Sequence, residues 1–395
     1  MVGVDEIDEK VSSRAPVTAS LTGAMEARGH EQVVFVADRE AGLRAVIAVH
    51  STALGPSLGG VRFWSYAAEA DAVVDVLRLS EAMTYKAAVA GLHQGGGKAV
   101  VLLDGPDAPH TAPMLRALGR AIDELGGRYL AAEDVGATPA DMEALARVTP
   151  WATGVGEADG GSGDPSPVTA YGVLHAKRAV VRRLDGVPEL AGRRVAVQGA
   201  GHVGAHLARL LLEAGARVTI ADIRPERAEA VAASLVGVHA VAPHQVLELD
   251  CDILAPCALG AVLTYESVAR LRCRAICGAA NNQLAHDDVE DALVARDIAY
   301  VPDFVANAGG IINIAEEFTG YSRERALSRT ASIFETVTRV FETADARALT
   351  PGRAAVELAR ERIEREGAGR RWRPGDPTAW TNGEPLRTLR PRARS

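Results

Sequence analysis

Three groups of residues in this chain have types and spacing that suit chemistry. An apolar run, Val195–Val197, leads through Gln198 into Gly199-Ala200-Gly201-His202-Val203-Gly204 and then into a helical apolar pattern. In such a strand-turn-helix the first glycine makes the tight turn and the second lets a pyrophosphate approach the backbone. The third lets helix and strand pack closely, and the helix N-terminus favours the phosphate charge. Asp222 ends the next apolar run, about 20 residues beyond the first glycine, where the adenosine ribose hydroxyls are met. Its charge repels a 2′-phosphate and favours NAD over NADP, while Arg224 nearby leaves NADP open. The plain alternative is a glycine-rich turn that binds no nucleotide.

The second group is Met83-Thr84-Tyr85-Lys86, near a predicted helix end, with Gly95-Gly96-Gly97-Lys98 at a predicted strand start. A lysine desolvated beside another cation loses proton affinity and can serve as a base or polarising donor. Sequence alone does not bring the two amines together. Their small-residue surroundings favour such a role over an exposed surface charge, because a Gly-Gly-Gly entry lets an anion approach backbone amides. The third group, Ala131-Ala132-Glu133-Asp134-Val135-Gly136, places two carboxylates at a predicted strand end. Ligands gather there in open α/β sheets, so Asp134 is an acid/base candidate; a cap or turn former is the equal alternative.

These residues need elements to position them. Gln32–Val49 reads as two β-rich runs split by a charged turn at Asp38–Gly42, the pattern of a hairpin. Ser51–Tyr66 reads as a loop. Val73, Val76, Leu77, Met83, Ala87 and Ala90 recur at helical spacing between Ala67 and Leu92, with Gly91 as a left-handed stop. A buried strand is expected over Lys98–Leu103, a helix over Met114–Leu125 and a strand over Arg128–Ala132. Thr138-Pro139-Ala140-Asp141 has the capping hydroxyl, first-turn proline and N3 carboxylate of a helix start.

Gly154–Pro167 is dense in glycine and proline and reads as a hinge. A helix, Val168–Leu184, follows. From Arg194 to Val301 short strands alternate with single helices, which predicts a doubly wound parallel sheet with right-handed crossovers. Gly309–Arg365 reads as helices. From Gly367 an arginine- and proline-rich tail without periodicity is expected to be flexible. The expected division is a substrate and oligomerisation domain over 1–150, a Rossmann-type domain over 151–320, helices returning to the first domain over 321–366 and the tail over 367–395.

The chain has 395 residues, more than one core usually organises, and 48% of its side chains are hydrophobic. Its 43 Lys+Arg against 51 Asp+Glu give a formal charge of −8, which speaks against nucleic acid and anionic membranes as partners. Cys251, Cys257, Cys273 and Cys277 form no CxxC pair, so buried thiols are expected rather than disulfides or a metal site. The acidic N-terminus resembles neither a signal nor a transit peptide, and no run approaches the about 18 apolar residues of a membrane span. A cytoplasmic enzyme with small-molecule partners is the expectation.

Read together, the motifs resemble the glutamate/leucine/phenylalanine/valine dehydrogenase family, in its branched-chain and aromatic amino-acid branch. The resemblance covers about Gly29–Arg365 and runs through Leu54–Phe63 (LGPSLGGVRF), Met83–Leu92, Gly95–Val101 (GGGKAVV), Ala131–Thr138 (AAEDVGAT), GAGHVG, Pro256–Leu263, Cys277–Ala285 and Pro302–Asn313. Gly29–Val34 and His50–Pro56 look most like the actinobacterial valine dehydrogenase members.

The resemblance implies reversible, NAD-dependent oxidative deamination of an apolar L-amino acid to a 2-oxo acid and ammonium. It implies that Lys86 binds the substrate carboxylate with amides near Gly59 and Gly60, that Lys98 orients water and polarises the developing carbonyl, and that Asp134 carries protons to and from the amino group. Asn281, Asn282 and Asn307 are implied to orient cofactor or substrate. Gly199, Gly201, His202, Val203, Gly204, Asp222, Ile223, Cys257, Ala258, Ala279, Ala280, Asn281 and Asn307 are implied to line the cofactor. Glutamate-using relatives carry lysine where this chain has Leu58, so a side-chain carboxylate would be left unpaired and acidic substrates are expected to be rejected. Leu58, Met83, Val305 and Ala308 are the expected apolar pocket. His93-Gln94 and Val61 depart from the usual pattern without removing a catalytic group. A homo-oligomer, dimer or octamer, is implied. An enzyme for another small substrate such as a 2-hydroxy acid, an aromatic amino-acid dehydrogenase, and a catalytically silent NAD-binding sensor are the competing readings.

Overall fold

The computed structural model describes residues 20–156, 161–258 and 260–372. Its first half runs α1 (Leu21–Arg28), β1 (Gln32–Asp38), β2 (Leu43–Ser51), β3 (Ser57–Trp64), α2 (Glu69–Val89), β4 (Gly95–Leu102), α3 (Ala112–Glu124), β5 (Tyr129–Glu133) and α4 (Pro139–Ala146). The strands form one mixed sheet in the order β1-β2-β4-β3-β5. The expected hairpin is β1 and β2, antiparallel, with Gly42 in the left-handed region. α2 packs Val73, Val76 and Leu77 on one face of the sheet, against Val46, Ala48 and Val100. α3 packs Leu115, Leu118 and Ile122 on the other, with Ile47, Phe63 and Val101. Gly91 stops α2 at φ 74°, and Thr138 and Asp141 make the expected capping box of α4.

Two expectations fail here for one reason. Ser51–Tyr66 is not simply a loop, because it contains β3, a central strand between β4 and β5. Gly95–Gly97 are not an entry to a strand but its first residues. A Cβ on Gly59 would come within 1.7 Å of the Gly97 carbonyl oxygen, and one on Gly96 within 2.1 Å of the Thr84 nitrogen. The glycines are there to let β3, β4 and α2 touch backbone to backbone, and that contact sets the helix carrying Lys86 directly on the strand carrying Lys98.

The second half runs α5 (Ser166–Asp185), β6 (Arg194–Gln198), α6 (His202–Glu213), β7 (Arg217–Ala221), α7 (Pro225–Ser234), β8 (Val238–Ala240), β9 (Ile253–Pro256), α8 (Tyr265–Arg270), β10 (Ala275–Ile276), α9 (Val289–Ala295) and β11 (Ala299–Tyr300). Its sheet is parallel throughout, in the order β11-β10-β9-β6-β7-β8, the Rossmann arrangement with its switch point between β6 and β9. The three-residue edge strand β8 lies in a stretch with no strand signal in the sequence. Cys251, Cys273 and Cys277 are buried and Cys257 half-buried, all as free thiols.

After β11 come α10 (Asp303–Ala306), α11 (Gly309–Ala315), α12 (Arg323–Ala331), α13 (Ile333–Arg347) and α14 (Pro351–Gly367). The chain passes between the sheets twice. Trp151–Thr153 still pair with β5 through the Ala131 and Thr153 amides, at 2.8 Å each, before the forward crossing begins. There the buried Glu317, 2% exposed, accepts hydrogen bonds from the Gly154 amide and from the Ser162 amide and hydroxyl. On the return, α14 lies against α2, and Arg362 donates to the Ala88 carbonyl at 2.8 Å. Ala368–Trp372 is not the loose start of a tail: Trp372 is 4% exposed and its amide donates to Thr52 Oγ at 3.0 Å. The rest of the expected tail, 373–395, and residues 157–160 of the expected hinge lie outside the described residues. Among the described residues no helix is long and apolar enough to cross a membrane.

Candidate active site

Lys98 points from β4 to Asp134, just beyond β5, with Nζ 2.6 Å from Oδ2. Only 4% of Lys98 is exposed, and burial lowers its proton affinity even though Asp134 opposes the shift. Burial pushes the Asp134 carboxyl up, but Lys98 and Arg62 outweigh it and hold it below the usual carboxylate range. Arg62, on β3, donates from Nε to the same Oδ2 at 2.9 Å.

Lys86, in the last turn of α2, donates from Nζ to Asn307 Oδ1 at 2.6 Å. Asn307 follows α10 and in turn donates to Asn281 Oδ1 at 2.7 Å and to the Ala279 carbonyl at 3.1 Å. These bonds join the first sheet's helix to the end of the second sheet. Burial lowers the Lys86 pKa to about 8; Asp303 opposes the shift and the Lys98 charge adds to it. Lys86, Lys98 and Asp134 therefore form one electrostatic unit. Leu58, Val305 and Ala308 are buried in one apolar cluster with Met83 against it, and Leu58 is in register with Gly96 on the neighbouring strand. The Gly59 and Gly60 carbonyls both accept from the buried Tyr129 hydroxyl.

The second sheet supplies a different surface. Gly199 turns at φ 107°, and a Cβ there would meet Cys257 and Ala258 within 2.9 Å. A Cβ on Gly204 would meet the Gly199 carbonyl oxygen at 2.0 Å, whereas one on Gly201 would have nothing within 4 Å. The middle glycine thus opens a cradle that its neighbours close, which fits the pyrophosphate of a dinucleotide. Asp222 receives the Ala200 amide at 2.8 Å and the Arg224 amide at 2.9 Å. Burial raises its pKa, but these bonds prevail and keep it ionised at the rim. Ile223 is 87% exposed beside it. Val203 packs against the core while His202 points outward, its Nδ1 3.9 Å from Asp164 Oδ2. Ala280 donates its amide to the Pro256 carbonyl at 2.9 Å, which joins the Ala279–Ala280 segment to the Cys257–Ala258 turn.

Sequence reasoning missed Arg62, Asp75 and Asp303. Arg62 stands two residues after Gly60 on one strand, hence on the same face, which was the available signal. Asp303 accepts from the Gln283 and Phe304 amides and acts on Lys86.

Residues 30–150 match the Glu/Leu/Phe/Val dehydrogenase dimerisation domain, and residues 160–224 and 219–367 match the Glutamate/Leucine/Phenylalanine/Valine dehydrogenase domain. Fold and site define an amino-acid dehydrogenase, an oxidoreductase. The chain is 46% identical to the leucine dehydrogenase of Thermoactinomyces intermedius over 340 residues, 86% of this chain and 92% of that one. It is 48% identical to the valine dehydrogenase of Streptomyces virginiae over 337 residues, 85% and 94% of the two. The crystal structure of L-tryptophan dehydrogenase from Nostoc punctiforme superposes with a TM-score of 0.79 at 38% identity, covering 87% of this chain and 99% of that one. The chain belongs to the glutamate/leucine/phenylalanine/valine dehydrogenase family.

Proposed function

We propose that this enzyme catalyses the reversible oxidative deamination of a valine-, leucine- or isoleucine-type L-amino acid, with NAD, to the 2-oxo acid and ammonium. The observation that carries the reading is the cluster of two desolvated lysines and Asp134, bridged by Asn307 to the dinucleotide-type sheet. Lys86, still protonated near neutral pH, pairs with the substrate carboxylate beside Gly59 and Gly60. Lys98 orients water and polarises the developing carbonyl oxygen. Asp134 exchanges a proton with the amino group, and Asn281 and Asn307 orient the amine and the cofactor. NAD, when bound, supplies the hydride acceptor. Gly199, Gly201, His202, Val203, Gly204, Ile223, Cys257, Ala258, Ala279 and Ala280 line its place. The ionised Asp222 at the rim favours NAD over NADP.

Leu58, Met83, Val305 and Ala308 receive an apolar side chain and offer nothing to an acidic one. An aromatic substrate is the second reading, favoured by the likeness to a tryptophan dehydrogenase. The match of residues 30–150 to a dimerisation domain supports a homo-oligomer, dimer or octamer, and four free cysteines suit a reducing cytoplasm.

The test is NADH formation with L-valine, L-leucine, L-isoleucine, L-phenylalanine, L-tryptophan and L-glutamate, and ammonium-dependent NADH oxidation with the 2-oxo acids. Branched-chain substrates are expected to be fastest and L-glutamate inert. A faster aromatic substrate selects the second reading, and the absence of any ammonium-dependent turnover overturns both.

A further inference from the structure

We infer that Arg62 is a positioning residue for the deamination: anchored by Asp75, it fixes the Asp134 carboxylate and gives it a positive partner that does not titrate. The inference rests on the function proposed above. Arg62 reaches two carboxylates from one guanidinium, Asp134 Oδ2 through Nε at 2.9 Å and Asp75 Oδ2 through Nη1 at 2.7 Å. Asp75, on α2, is itself held by the Tyr66 hydroxyl at 2.8 Å and by Arg78 at 2.9 Å. The anchor is therefore held by contacts that do not involve Asp134. From the other side, Gly60 leaves room for the carboxylate, since a Cβ there would come within 2.5 Å of Asp134 Cβ.

Both cations bind the same oxygen of Asp134, so Oδ1 is the oxygen left to exchange a proton with substrate. The groups that act on Asp134 are Lys98 from β4, Arg62 from β3, Lys86 from α2 and Tyr129 from β5, with Asp75 behind Arg62 and Glu133 next in the chain. Lys98 and Lys86 have lowered proton affinity, and only the guanidinium stays charged at every working pH. With Lys98 as its sole partner, the half-buried carboxylate would face an uncharged amine each time that proton left, and would take up a proton itself. Arg62 prevents this, and its charge also lowers the proton affinity of Lys98. Removing it moves both groups in the same direction.

The experiment is the pH profile of kcat for deamination in the full-length enzyme and its Arg62→Gln, Arg62→Lys and Asp75→Asn variants, with folding followed by thermal melting. In Arg62→Gln the acidic limb is expected to move up by about one pH unit or more, with kcat at least about tenfold lower and the amino-acid KM changed less. Asp75→Asn keeps the charge but loses the anchor, so kcat falls while the limb stays. An acidic limb unmoved in Arg62→Gln overturns the inference, whatever happens to stability. Should Arg62→Gln fail to fold, Arg62→Lys decides: lowered kcat with the limb in place supports the inference, and parental kcat overturns it. Lack of turnover in the unsubstituted enzyme refutes the proposed function instead, and is read before any variant.

Discussion

Around Asp134, two positive side chains crowd onto one carboxylate oxygen, while around Gly201 a Cβ would find nothing within 4 Å. The first region works by filled space, where each charge has a partner on another strand or helix and burial and neighbouring charges together set the proton affinities. The second works by space kept clear, where the missing Cβ of Gly201 leaves the N-terminal end of α6 open. Loss of the Lys98 charge should therefore disable turnover and spare dinucleotide binding, and a methyl group added at Gly201 should weaken dinucleotide binding without disturbing the charges around Asp134.

Lys98→Ala tests the separation most severely. Turnover should fall about 10²–10⁴-fold while NADH affinity, read by fluorescence titration, stays near that of the parent. Equal losses in both would show that the regions are not independent. Gly201→Ala should leave the melting temperature unchanged and weaken NADH binding about tenfold or more. Gly204→Ala should instead destabilise the fold, by about 1–3 kcal/mol, because its Cβ meets backbone. Equal melting temperatures for the two variants would break the assignment of open and closed positions.

The pH dependence of Lys86 sharpens the comparison. In the proposed function its ammonium holds the substrate carboxylate below about 8, and above that it loses the charge. The KM for a 2-oxo acid, which has no titrating amine, should rise about tenfold per pH unit beyond that point. NADH affinity should stay flat. The same lowered affinity makes folding more favourable as pH rises from about 8 towards 10.5, since the unfolded chain keeps the proton longer. A flat KM through this range would remove Lys86 from substrate binding. The smallest effect is expected from Asp222→Ala, about a tenfold shift of kcat/KM toward NADP, measured against NAD.

The glycine turn was legible in the sequence because its partners lie in one strand-turn-helix, and the stop at Gly91 and the cap at Thr138 are equally local. The lysine cluster was legible as types but not as an arrangement. Lys98 meets Asp134 through a neighbouring strand, and Lys86 meets Asn307 from the far side of the cleft. β3 was hidden because its glycines carry no strand propensity; Gly59 answers to the backbone of β4, and Gly60 to Glu133 and Asp134 at the end of β5. Arg62 looked like any loop charge, since its meaning comes from β3, from Asp75 on the following helix and from Asp134 after β5. Trp372 reads as part of a polar tail until Thr52 and Gly127 are seen beneath it.

The two passages of chain between the sheets, one clasped by Glu317 and the other seated through α14 and Trp372, act like two pins of a door. A single tether would let one half swivel in any direction. Two tethers leave mainly a swing about the line joining them. A movement that parted Lys86 from Asn307 would then be guided along that arc, which would return Lys86 and Lys98 to the Gly199–Gly204 turn in one alignment.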